Sequence, residues 1–218
     1  MPRLSSACAG PRLWIACLLL VLLAAPAARG AAAGATEQLK PAIDQVLRIL
    51  DDPAFKPEAR RAERRKAIRR VADEIFDFEE MARRALGQHW RSLTADQRRE
   101  FVPLFADLLE RAYTSTIERY SGEPIRYTDE RVEGEFAVVS TKIITKQDQE
   151  VPVSYRMLRR GDRWLIYDVS AEGVSLIANY RTQFNNVIRT SSYEELVKRM
   201  RSRVEEFRAP QRPSLDSR

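Results

Sequence analysis

PIRYTDERVEGEFAVVSTKIITKQDQEVPVSYRMLRRGDRWLIYDV, residues 124–169, is the stretch whose reading decides the fold. Within it the pattern takes the short period of strands, and one strand alternates apolar and polar positions as a strand with one buried face does. Val151, Val153, Tyr155 and Met157 carry the clearest alternation. Four strands are predicted, over 124–131, 135–145, 149–159 and 163–169. Turns fall at Gly134, at 146–148 and at Gly161-Asp162. The second strand has Phe136, Val138, Val139, Ile143 and Ile144 on both of its faces, which predicts burial on both sides. Connections this short require antiparallel neighbours, so the four strands form a meander.

On either side of this stretch the period changes to helical. Downstream, Val174, Ile177, Ala178, Arg181, Phe184, Val187 and Ile188 fit one helix. Ser191 or Ser192 then caps a last helix running to Phe207, with Leu196, Val197, Met200 and Val204 inward. Upstream, Thr94 and Gln97 form a capping box for a long helix over 95–120, striped by Phe101, Leu104, Phe105, Leu108, Ala112 and Tyr113. Pro103 lies near its first turn or kinks it just beyond. Asp77 and Glu80 open a short helix over 78–86 that Gly87 stops. Two more helices precede it: 36–51, with Thr36 able to cap, and 58–75. Helices, a meander and helices again make an α+β fold. It is a curved four-stranded antiparallel sheet packed by helices on its concave side, with an N-terminal helical part. The domain spans 36–207: helical over 36–122, sheet over 124–169 and helical over 174–207. A frayed tail follows over 208–218.

The N-terminus reads as an address. Arg3 and Arg12 precede an apolar run, LWIACLLLVLLAAPAA over 13–28, with A-x-A options at 25–27 and 31–33. This is the pattern of a cleavable secretory signal peptide over 1–33, cut somewhere in 27–35. A retained anchor is the alternative, but it needs about 20 apolar residues, and Pro26 and the small residues oppose it. Cys17 is a poor lipoprotein site, because Trp14 and Ile15 stand where small residues belong. Cleavage near Ala27 removes Arg3 and Arg12 and lowers the formal net charge from +6 to +4. It also removes Cys8 and Cys17, both cysteines of the chain, so the exported protein is held together by its core alone.

Little chemistry remains. His89 is the only histidine and reads as a capping or packing residue, with a ligand or acid–base role as the alternative, so histidine metal sites and Ser-His-Asp triads have little to draw on. Phosphate-cradling glycine loops are missing from the sequence. Asp168 and Glu172 flank the end of the last strand and offer an acid–base pair, or simply caps for the next turn. The basic run Arg60–Arg70 reads as a solvated helix face with Glu63 in partial compensation, or as a surface for anionic lipid headgroups or an acidic partner. No aromatic residue interrupts it as a stacking platform, so nucleic acid is not an expected partner. What the chain does have is large apolar side chains in number. Periodicity alone does not say whether they fill a core or line a pocket.

Two stretches resemble a known family. FDFEEMARRALGQHWRSLTADQRREF over 76–101 and YDVSAEGVSLIANYRTQFNNVIRTSSYEEL over 167–196 are similar to MlaC proteins, the toluene-tolerance or organic-solvent-resistance auxiliary proteins. The resemblance covers essentially the whole exported chain. It implies a nuclear-transport-factor-like cone and a soluble periplasmic phospholipid carrier, not an enzyme, with bound phospholipid as cargo and no cofactor. It also implies two partners, an inner-membrane ABC transporter complex containing an MCE-domain protein and an outer-membrane lipoprotein–porin complex, and a role in outer-membrane lipid asymmetry. The physics is consistent with this. Two acyl chains carry roughly 28 methylenes, whose transfer from water is worth on the order of 20 kcal/mol, so a carrier needs a dry cavity and no catalytic group. By facing and position, the sheet contributes Val151, Val153, Tyr155 and Met157 to that cavity, with Val138 and Tyr167. The helices contribute Phe101, Phe105, Leu108, Tyr113, Val174, Ile177 and Phe184. Arg126 and Arg181 are headgroup candidates. Two other readings stay open: an exported adaptor with a filled core, and an enzyme using Asp168 or Glu172.

Overall fold

In the computed structural model, residues 33–208 are described. The expected signal peptide and the tail beyond 208 lie outside them. Helix α1 (Ala35–Asp51) begins the order and helix α2 (Arg61–Ile75) follows two short 3-10 turns. Helix α3 (Phe78–Leu86), a 3-10 turn and the long helix α4 (Ala95–Ile117) come next. The meander is β1 (Ile125–Glu133), β2 (Phe136–Ile144), β3 (Glu150–Arg160) and β4 (Arg163–Ala171). The sheet order is sequential and every pairing is antiparallel.

A fifth strand, β5 (Val174–Ser175), was not expected. Glu172 and Gly173 both take positive φ, 50° and 82°. That tight turn folds the chain back on β4, so Ala171 faces Val174 and Ser170 faces Ser175. Val174 is therefore strand, not helix, and stands 65% exposed. Helix α5 (Leu176–Thr190) starts only after it, and helix α6 (Tyr193–Arg208) ends the described chain.

The caps explain most boundaries. Thr94 Oγ1 accepts from the Gln97 N–H at 3.2 Å and the Gln97 amide returns to the Thr94 N–H at 2.9 Å, the expected box. The Asp77 carboxylate accepts from the Glu80 N–H at 2.9 Å, and Gly87 closes α3 with φ 56°. Ser192 caps α6 through the Glu195 N–H. Helix α1 departs from the expectation. Gly34, not Thr36, is its N-cap, and the free N–H groups of Ala35 and Thr36 donate to the Glu130 carboxylate on β1. A charge from a strand 94 residues away does what a local hydroxyl was expected to do. Pro103 sits well inside α4, past the first turn, and α4 ends at Ile117, three residues before Tyr120.

Helices pack on both faces of the sheet, not on one concave side. The register sets Ala137 against Met157, Val139 against Tyr155, Thr141 against Val153 and Ile143 against Val151 on one face. Helix α1 covers that face through Ala35, Leu39 and Ile43. The opposite face meets α3, α5 and the other helices through Leu158 and Tyr167. Phe76 bridges to Ile166 at the β4 edge, where the chain crosses from one side to the other, and belongs to both clusters. Only one face of β2 is closed. Ala137, Val139 and Thr141 are buried, whereas Val138 is half-buried and Phe136 is 45% exposed, against the expectation of burial on both sides.

Candidate functional site

The alternation read in β3 holds: Val151, Val153, Tyr155 and Met157 share the face under α1. Burial along that face is graded. At one end Leu39, Ala137, Val139, Met157 and Ile166 are closed off from solvent. At the other, the cross-strand row Ile125–Ile143–Val151 is only half-buried. The later turns of α1 repeat the gradient, since Val46, Leu47, Ile49 and Leu50 are all half-buried. Helix α1 thus lies close on the sheet at its N-terminal end and leaves apolar surface partly open beyond Ile43. Two phenols mark the transition. The Tyr127 hydroxyl is buried without a hydrogen-bond partner. Burial first, then the neighbouring Tyr155 and Asp44, push its pKa up; burial does the same to Tyr155 despite a hydrogen bond with Thr141. Both remain neutral and tolerate apolar surroundings.

The helical candidates gather elsewhere. Phe101, Phe105, Leu108, Ile177 and Phe184 are buried in a cluster built from α3, α4, α5 and α6. Phe184 meets Phe101 and Phe105 edge-on at 5.8 and 5.4 Å between ring centroids, and Tyr180 meets Phe105 edge-on at 5.2 Å. The single cavity expected between the sheet set and the helix set is thus two apolar regions, on opposite sheet faces, sharing Phe76. Tyr167 belongs to the helical side, beneath the Arg84 guanidinium at 3.9 Å, and Val138 shares that sheet face. Tyr113 and Val174 do not point inward; Tyr113 is 38% exposed. Facing follows the turn geometry for Val174 and the end of the stripe for Tyr113, which sits near the C-terminus of α4.

The polar candidates have structural partners. Arg181 donates from Nε to the Arg84 carbonyl at 2.7 Å and so caps the end of α3. Arg126 is exposed on β1 and lies close enough to Glu150 to help lower that carboxyl, after Lys142. Asp168 is buried and accepts from the Ser175 hydroxyl at 2.6 Å and the Ile177 N–H at 3.0 Å, which fixes the start of α5. Glu172 occupies the positive-φ turn. His89 pairs with Asn185 at 3.0 Å. Among the described residues no cluster of metal-ligating side chains occurs, and no helix is long and apolar enough to cross a membrane.

The basic run is a solvated face only in part: Arg60, Lys66 and Arg70 are exposed and Arg60 pairs with Glu63, whereas Arg61, Arg64, Arg65 and Arg69 turn toward acidic residues at α4. Glu118, the C-cap of α4 and 9% exposed, accepts from Arg61, Arg64 and Arg65 of α2 at 2.9–3.4 Å. Burial raises the Glu118 carboxyl, and the three guanidinium bonds outweigh it, holding its pKa down at about 2. One turn on, Arg69 bridges Asp73, Asp107 and Glu110. Periodicity in α2 could not reveal the contacts with Glu118, Asp107 and Glu110, because those acceptors lie 38 to 57 residues away.

These features define a class: an α+β protein with helices on both faces of an antiparallel sheet, and apolar surface left half-open at one end. The chain belongs to the MlaC family, whose family model (MlaC protein) matches residues 40–202. It is 25% identical over 122 residues to the intermembrane phospholipid transport system binding protein MlaC of Haemophilus influenzae. That match covers 54% of this chain and spans 57% of the relative's length. Among solved structures it is similar to the phospholipid-binding protein of Ralstonia solanacearum, determined in complex with a phospholipid. The TM-score is 0.70 at 24% identity, covering 81% of this chain and all of that one.

Proposed function

We propose that the chain is a phospholipid carrier, exported to the periplasm by its leader, that moves lipid between the inner and outer membranes without chemistry. Membership of the MlaC family over residues 40–202 carries this reading. The graded face under α1 supports it and suggests where acyl chains lie: against Val151, Val153, Tyr155 and Ile143, entering past the half-buried second half of α1. Burying two chains recovers on the order of 20 kcal/mol, so release into water is negligible and transfer is a handover at a docked acceptor. The acceptors that fit are an inner-membrane transporter carrying an MCE-domain protein and an outer-membrane lipoprotein–porin complex, and outer-membrane lipid asymmetry is the property such traffic would maintain.

Purification without detergent, solvent extraction and lipid mass spectrometry against a control protein from the same preparation test the reading. Stoichiometric phospholipid is expected in the wild type, and loss of it in Val153→Asp with the circular dichroism unchanged. A second reading, an adaptor with a filled core, draws on the close ring packing around Phe105. It predicts an empty extract from well-folded protein.

A further inference from the structure

Between α2 and α4 runs an open groove of about 550 Å³ whose lining includes Arg61, Arg65, Lys66, Arg69 and Arg111, against Glu58 and Glu110. We propose that this groove recognises a phosphate oxyanion, the phosphodiester of a phospholipid. Its donors outnumber its acceptors. Beside it three guanidinium groups converge on the two oxygens of Glu118, and the Nε–H group of Arg61, which lines the groove, remains buried with no acceptor. Arg111, lining the groove from α4, likewise has a buried Nε–H without a partner. Neither Arg111 nor Lys66 makes an ion pair among the described residues. Buried unsatisfied donors are costly and rare, and two on residues lining one groove mark a place where an anion completes the hydrogen bonding. Guanidinium forks match phosphate geometry in particular. The ligand's identity as a phospholipid rests on the carrier reading; the groove's affinity for a phosphodiester does not.

The probe is glycerophosphoglycerol, titrated into ¹⁵N-labelled protein while backbone amide shifts are followed. Saturable shifts confined to residues 58–69 and 107–114 are expected. Lys66→Gln/Arg111→Gln, which breaks no ion pair, should weaken binding about tenfold and leave the melting temperature unchanged. An absence of saturable shifts there, or equal affinity in the double variant, overturns the proposal. Two further arms identify the source of the phosphate. If bilayer headgroups occupy the groove, the double variant sediments less with phosphatidylglycerol vesicles and keeps the ³¹P resonance of its copurified lipid. If the cargo's own headgroup does, that resonance shifts. Probe binding by wild type that copurifies no phospholipid would sink the carrier reading while sustaining the groove.

Discussion

Glu118 gathers three arginines of α2 at the end of α4. The carboxylate is 9% exposed and Arg64 14%, so solvent screens that pair little, while Arg61 and Arg65, at 40% and 31%, are screened more. Glu118→Gln keeps the shape and removes the charge, so a loss of about 2–3 kcal/mol is expected from denaturant unfolding. The pH dependence has a definite sign. The folded carboxyl titrates at about 2, below its ordinary 4.5, so the contribution is complete above about 4.5 and is lost as pH falls toward 2. The gap between wild type and variant should narrow over that window in an acid titration. Glu130 makes a comparable, smaller contribution by capping α1 across the fold. Glu130→Ala should cost about 1 kcal/mol and loosen amide protection in the first turn of α1, read by hydrogen exchange.

At the scale of elements, the two apolar regions should answer differently to substitution. Phe105 sits fully buried among Phe101, Tyr180 and Phe184. Phe105→Ala should therefore cost about 3–5 kcal/mol, read from the denaturant midpoint. Ile143 and Val151 belong to the half-buried row. Ile143→Ser/Val151→Ser should cost far less and still reduce copurified lipid, which extraction and mass spectrometry measure. Equal lipid content in that variant and the wild type would remove this row from the binding surface. The elements were largely legible in the sequence: the four strands of the meander are separated by three turns where glycine and polar residues demand them, and the Thr94–Gln97 and Asp77–Glu80 signals placed two helix starts. Strand β5 was not legible, since two residues carry no period and only the backbone of Glu172 and Gly173 turns Val174 onto β4.

For the whole molecule, a carrier with its cargo removed should be less stable than the loaded protein, because a ligand that binds only the folded chain stabilises it by mass action. Delipidated protein should melt at lower temperature and recover on addition of phospholipid, as scanning calorimetry would record. By itself the sequence determined the α+β order, the antiparallel meander, the shared face of Val151, Val153, Tyr155 and Met157, and the poverty of catalytic groups. These are local properties, set by side-chain period, caps and turns within a few residues of one another. Tertiary structure alone decided which helix covers which sheet face, that the sheet and helix sets form two regions meeting at Phe76, and that the arginines of α2 turn to Glu118, Asp107 and Glu110. Each of those depends on partners many tens of residues apart in the chain. A stripe's period states that a face is buried and leaves open what buries it.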